Sequence, residues 1–143
     1  MILLDTNVLV YADDRHSTFF NWSRQIIADA SSVESAVTNP IVIAELCVGE
    51  TDPAPIPARI EAWGVILIDL PVAASLLCAN AYRLYRQRRL ADSGRPAPDV
   101  PLPDFFIGAH AAIMGWELAT ADPGRFKTYF PEVTLLLPEQ TGT

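Results

Sequence analysis

Four carboxylates stand where a folded chain would gather them: Asp5, Glu45, Asp104 and Asp122. Asp5 closes the run Ile2-Leu3-Leu4 and opens Asp5-Thr6-Asn7, and Glu45 sits inside Pro40-Ile41-Val42-Ile43-Ala44-Glu45-Leu46. Asp104 opens Asp104-Phe105-Phe106-Ile107-Gly108-Ala109-His110-Ala111, and Asp122 follows Leu118-Ala119-Thr120-Ala121. Acids rarely enter apolar segments without a partner, because an unpaired buried charge costs more than ordinary packing returns. The chain holds 10 Lys and Arg against 17 Asp and Glu, so cations to pair them with are few. A divalent metal is the natural counter-ion. Magnesium and manganese take oxygen ligands in octahedral geometry, and magnesium keeps several waters. Acids around such hard cations point to phosphodiester hydrolysis. An empty cluster of this kind repels itself, which raises some of its pKa values.

Each acid also has a plain structural explanation. Asp5 and Asp104 fit turn or cap positions, and Asp122 before Pro123-Gly124 fits an ordinary turn. Glu45 is harder to dismiss, since a lone acid on an apolar helix needs a reason. The joint pattern is more specific than any member.

The elements that must position these acids follow from periodicity and punctuation. Ile2 to Leu4 reads as a buried parallel strand, and Val8 to Tyr11 as a helical turn or two. Ser17 to Ala30 reads as a helix and Ser35 to Thr38 as a second strand. Asn39-Pro40 is a strong helix start, a capping side chain before a proline, and that helix carries Glu45 to near Gly49. Asp52 to Pro57 is a proline-rich connector, Ala58 to Trp63 a short helix, and Val65 to Leu70 a third strand. Pro71 to Leu90 is the longest helix, with Val72, Leu76, Leu77, Ala81 and Leu84 as its apolar side. Ala91 to Pro103 reads as a loop, Asp104 to Gly115 as an apolar helix, and Glu117 to Thr120 as a fourth strand. Asp122-Pro123-Gly124 is a turn, Val133 to Leu137 a last strand, and the final residues a tail. This alternation argues a three-layer α/β/α sandwich with a mainly parallel central sheet. Ligands bind outside the carboxyl ends of such strands, where Asp5 and Asp122 fall. Asp104 at a helix start would place a third acid on the same edge.

The bulk properties bound the rest. With 143 residues, half of them hydrophobic and 19% charged, residues 1–143 read as one well-buried domain without internal repeat. A net charge of −7 argues against a protein that coats nucleic acid through phosphate contacts alone. Cys47 and Cys78 read as reduced core thiols, too few for a disulfide framework or zinc site. The opening run is too short for a signal peptide, and no window is apolar enough to span a bilayer. A soluble, cytoplasmic protein without membrane partners is expected.

Other groups are less pointed. Arg83, Arg86, Arg88 and Arg89 crowd the end of the long helix, with Arg95 beyond. They suit a helix C-terminus and a solvated face, or a patch tracking RNA phosphates or an acidic partner. Arg83, Arg86, Arg89 and Arg125 are the candidate RNA contacts. His110 reads as a hydrogen-bonded buried or interface histidine rather than a base, and Trp22, Trp63 and Trp116 as core or interface anchors. Gly108 and Ala111 would let their helix approach the first strand closely.

Four segments carry a resemblance: Leu4-Asp5-Thr6-Asn7-Val8-Leu9, Asn39 to Leu46, Pro103 to Ala111, and Thr120-Ala121-Asp122 through Phe126 to Tyr129-Phe130-Pro131. In this order the chain resembles PIN-domain ribonucleases, and closely the VapC-type toxins of toxin–antitoxin pairs. The resemblance implies a magnesium- or manganese-dependent endoribonuclease, a homodimer, and a small antitoxin. It implies metal-ligand and catalytic roles for Asp5, Glu45, Asp104 and Asp122, with Thr6, Asn7 and Thr120 as polar support. Asp122 lies in the loosest of the four motifs. Two other classes compete. A non-cleaving PIN-like RNA-binding or protein-interaction module is weakened by the presence of all four acids. An aspartyl-phosphate phosphotransferase using Asp5 lacks a second acid beside it, and Lys127 is the sole lysine.

Overall fold

In the computed structural model, which describes residues 1–95 and 102–139, the chain alternates strand and helix. The elements are β1 (Ile2–Leu4), α1 (Thr6–Ala12), α2 (Phe20–Ser32), β2 (Ala36–Thr38), α3 (Pro40–Val48), α4 (Ile56–Glu61), β3 (Ile66–Leu67), α5 (Ala74–Ser93), α6 (Leu102–Met114), β4 (Glu117–Ala119), α7 (Gly124–Tyr129) and β5 (Leu135–Leu136). The strands form one sheet in the order β3-β2-β1-β4-β5. Every pairing is parallel, with Leu3 opposite Val37 on one side and Leu118 on the other. Parallel strands need helices on both faces. Accordingly Leu3, Leu4, Ala36, Val37, Leu118 and Ala119 are all buried, as the middle layer of an α/β/α sandwich requires.

β1 lies at the centre, with β2 beside it on one flank and β4 on the other. Strand order reverses there, so the crevice beyond the carboxyl ends of β1 and β4 is the expected ligand position. The Asn39-Pro40 signal is met in detail. The Asn39 side chain accepts from the Val42 N–H at 3.0 Å and Pro40 occupies the first turn.

Several sequence expectations shift. β3 is two residues rather than six, because it is an edge strand paired only with β2 and Pro71 closes the segment. α5 begins at Ala74 and runs on to Ser93, into the expected loop, and stops at Gly94, whose φ of 67° suits glycine. The remainder of that loop, 96–101, and the tail, 140–143, lie outside the described residues.

The buried side of α5 agrees with the expectation at Leu77 and Ala81, which pack partly buried against the core, and differs elsewhere. Val72 and Leu76 are 87% and 75% exposed, and Leu84 is exposed too. Ala74, Cys78 and Tyr85 are buried instead. The aromatic cluster decides this face. The Tyr82 and Tyr85 rings each lie 5.4 Å from the Phe105 ring of α6, and Tyr129 packs at 5.3 Å from Phe105. Packing the two α5 rings into this four-ring cluster outweighs burying leucines, and the small residues at 74 and 78 let the helices approach. Gly108 does permit a close approach, but to the buried Phe130 ring, which a Cβ there would meet at 2.4 Å, rather than to β1.

Candidate active site

The pocket beyond β1 and β4 has a volume of about 280 Å³ and is lined by Asp5, Thr6, Asn7, Val10, Tyr11, Glu45, Asp104, Asp122 and Phe126. All four acids singled out in the sequence line it. They arrive from separate elements: Asp5 from the end of β1, Glu45 from α3, Asp104 from the first turn of α6, and Asp122 from the turn before α7. Asp104 is the third residue of its helix rather than the opening one, since Leu102 and Pro103 start it. Their exposure grades: Asp5 is 4% exposed, Glu45 and Asp104 are half-buried, and Asp122 is exposed.

Asp5 is the most constrained. Its Oδ1 caps α1, accepting from the Thr6 N–H at 2.8 Å. Its Oδ2 accepts from Thr120 Oγ1 at 2.8 Å and from Asn7 Nδ2 at 3.2 Å. Asn7 Oδ1 accepts from the Ala121 N–H at 3.1 Å, and Thr120 Oγ1 from the Asp122 N–H at 3.1 Å. Thr6 turns the other way and donates to Glu45 Oε1 at 2.7 Å. The three polar residues thus tie α1, α3 and the segment after β4 around one buried carboxylate.

Burial pushes the Asp5 carboxyl up to about 6, assisted by the charges of Asp104 and Glu45 and opposed by its hydrogen bonds. Burial also raises Asp104, with Asp122 adding to it, while Arg125 pulls the other way. Arg125 of α7 donates to Asp104 Oδ2 at 2.7 Å. The scarcity of cations did not foreshadow that pair; Asp104 has a protein partner. It is the sole ion pair among the described residues, so Asp5, Glu45 and Asp122 have no cation against them.

The donor set is all carboxylate oxygen, the kind that hard divalent cations take. Among the described residues no three potential ligands close tightly enough to cage an ion. Asp5, Glu45, Asp104 and Asp122 are the residues that would hold it.

The candidate RNA contacts separate. Arg125 and Arg89 line a second cleft, of about 400 Å³, that shares Asp104 and Asp122 with the acid pocket. Arg83 and Arg86 face a groove between α5 and α6 instead. Tyr11 and Phe126 are pocket residues the sequence reading did not single out as functional. Tyr11 falls four residues after Asn7, the spacing that shares a helix face.

His110 is fully buried, as expected. Its Nδ1 lies 3.0 Å from Asn39 Nδ2. The Asn39 amide can only donate there, because its oxygen caps α3, so His110 Nδ1 accepts and the ring is neutral. Burial lowers its pKa accordingly. This bond ties α6 to the cap of the helix bearing Glu45. Cys78 is buried with its thiol pushed up to about 11, whereas Cys47 is only half-buried. Trp22, Trp63 and Trp116 all pack partly buried against the core.

The PIN domain family model matches residues 2–130, nearly the whole chain. The chain belongs to the PIN-domain family. The fold agrees with solved structures at low sequence identity. VapBC2 from Rickettsia felis bound to a promoter DNA fragment is 20% identical, with a TM-score of 0.63 over 97% of this chain and 100% of that one. VapBC-1 from nontypeable Haemophilus influenzae is 22% identical, with a TM-score of 0.62 over 95% and 97%. A toxin–antitoxin complex from Klebsiella pneumoniae is 20% identical, with a TM-score of 0.59 over 94% and 96%. No curated protein matches the sequence. No described helix of this PIN domain is long and apolar enough to cross a membrane.

Proposed function

We propose that this PIN domain is a magnesium- or manganese-dependent endoribonuclease and the toxin of a toxin–antitoxin pair. The observation that carries the reading is the pocket itself: four carboxylates from four elements converge, and the most buried has no cationic partner. Thr120 and Asn7 hold Asp5 Oδ2 in place, and Thr6 aims Glu45 from the next position along α1. A bound divalent cation would relieve the repulsion among the acids, acidify a water and offset charge developing on the phosphate. Val10, Tyr11 and Phe126 complete the lining beside the acids.

The test is incubation of end-labelled RNA with magnesium, with manganese, and with a chelator. Cutting that needs metal and is lost in folded Asp5→Asn and Asp104→Asn supports the reading. Wild-type turnover in both variants removes these residues from the site. The Arg125–Asp104 pair favours one alternative, a non-cleaving RNA-binding or protein-interaction module, because it occupies one of the four acids. RNA binding without cutting in every metal condition would select it.

The similar Klebsiella pneumoniae structure is a toxin–antitoxin complex. We carry that relation to this chain as an antitoxin partner, and propose besides that the chain is a homodimer and that the antitoxin is encoded beside it. An antitoxin Arg or Lys suits the acid pocket, since a guanidinium bridges carboxylates in two-pronged fashion and competes with metal. Changing that residue to Ala should weaken inhibition. A neighbouring reading frame with no effect on cleavage counts against the toxin assignment, and a strict monomer on sedimentation at micromolar concentration counts against the dimer.

A further inference from the structure

Positive charge in this chain is concentrated. Of its 10 lysines and arginines, five are arginines between positions 83 and 95, and Arg125 and Lys127 add two more. The arginines of α5 divide by face. Arg83 and Arg86 line a groove of about 650 Å³ with Leu90, Leu102 and Phe106. Arg89, one turn after Tyr85, faces the cleft whose other walls include Asp104, Asp122, Arg125 and Tyr129. Arg88 leans over the Tyr129 ring, 5.4 Å from its centre. Because Asp104 and Asp122 belong to both spaces, a cleft that carries two guanidiniums opposite these two acids opens directly off the acid pocket.

Electrostatics gives this layout a use. A strand of phosphodiesters presents one anion per nucleotide, and a protein of net charge −7 repels it at long range. Attraction has to be local. A cation on the acids can meet only the phosphate under attack, so the adjoining phosphate needs its own positive group. Arg89 and Arg125 are the guanidiniums that share this cleft. Arg125 is 43% exposed and is held by Asp104, with the Tyr85 hydroxyl also beside it, which leaves others of its five N–H donors for another anion.

We propose that this cleft is a phosphate subsite for single-stranded RNA, in which Arg89 and Arg125 hold the backbone phosphate next to the one being cleaved, Arg125 exchanging Asp104 for that phosphate as the strand enters. The proposal rests on the nuclease reading above and deepens it. Its consequence is coupling. When Arg125 leaves Asp104, a carboxylate is freed for a cation, so RNA favours metal binding and metal favours RNA by the same factor. Arg83 and Arg86, on the other face, take no part.

The test uses fluorescein-labelled decauridylate, read by anisotropy at low salt in chelator so that no cutting occurs. Arg89→Ala and Arg125→Ala should each weaken binding about fivefold, the scale of one exposed charge-assisted contact. The double variant should also flatten the slope of log affinity against log salt by about 0.7, the single-strand value for the one phosphate the two arginines share. Arg83→Ala should stay within twofold. Manganese binding, followed by loss of the free-ion paramagnetic resonance signal, should tighten in Arg125→Ala. Loss of a merely structural residue would weaken both RNA and manganese. Binding of both variants at the wild-type level, an equal loss in Arg83→Ala, or weaker manganese binding in Arg125→Ala each overturns the subsite. The first result beside intact wild-type cleavage removes the subsite alone. A wild-type protein that neither binds nor cuts RNA removes the nuclease reading and the subsite together.

Discussion

Asp5→Asn should stabilise the metal-free protein, and only at neutral pH. The Asp5 carboxyl lies at about 6 in the fold against 3.8 ordinarily. At about 1.4 kcal/mol per pH unit, holding it ionised costs the native state about 3 kcal/mol. The sign follows from proton binding. Between 3.8 and about 6 the folded state binds more protons than the unfolded chain, so stability falls as pH rises through this window. The cost is absent below the window and complete above it. Asparagine removes the charge and keeps the cap, since its oxygen can still accept from the Thr6 N–H. Its amide would, however, face two donors of the present carboxylate oxygen: the Thr120 hydroxyl at 2.8 Å, which can turn to accept, and Asn7 Nδ2 at 3.2 Å, which cannot. That donor–donor conflict costs about 1 kcal/mol. The net gain is about 2 kcal/mol above pH 6, or roughly 8 °C in Tm for a chain of this length. Below about pH 4 the conflict remains alone, and the variant should be slightly less stable than wild type. His110 contributes a slope of the opposite sign, because its lowered pKa makes stability fall as pH drops below its unfolded value. That slope is common to both proteins and cancels in the difference. Thermal unfolding of the two proteins at pH 4 and pH 7.5, in chelator, checks this. A Tm difference that does not change between the two values, or a variant less stable at pH 7.5, refutes the burial argument.

Three further outcomes follow from the same geometry. Magnesium or manganese should raise the wild-type Tm by binding only the folded state, about 2.7 kcal/mol at 100 times Kd. Calorimetry should show that binding lost in Asp5→Asn, and unchanged melting across a millimolar titration would refute convergence of the acids on a cation. Gly108→Ala should lower stability by about 1–3 kcal/mol in denaturant titration, because the new Cβ meets the buried Phe130 ring at 2.4 Å; a more stable variant would show that helix propensity outweighs the clash. Asn39→Ala should cost about 1–2 kcal/mol by removing the α3 cap and stranding buried His110 Nδ1, read by denaturant titration.

The parts of this protein legible in its sequence are those set by neighbouring residues. Strand and helix alternation, the Asn39-Pro40 cap and the acids after β1 and before α7 depend on positions a few residues apart, where steric and hydrogen-bonding preferences act on the chain directly. α7 escaped because it starts at Gly124, inside the Asp122-Pro123-Gly124 segment whose residue types signal a turn. The tertiary structure alone decided which side of α5 is buried, since the leucines and the tyrosines offer rival faces and the rings of α6 and α7 choose between them. It also decided the pairings across the chain: Thr6 with Glu45, 39 residues apart; Thr120 with Asp5, 115 apart; and Arg125 with Asp104, 21 apart. The acidity of Asp5 belongs to the same class. Carboxylate chemistry is written in the residue type, but its pKa is governed by how much water and which charges the fold leaves around it, and those come from segments remote in sequence.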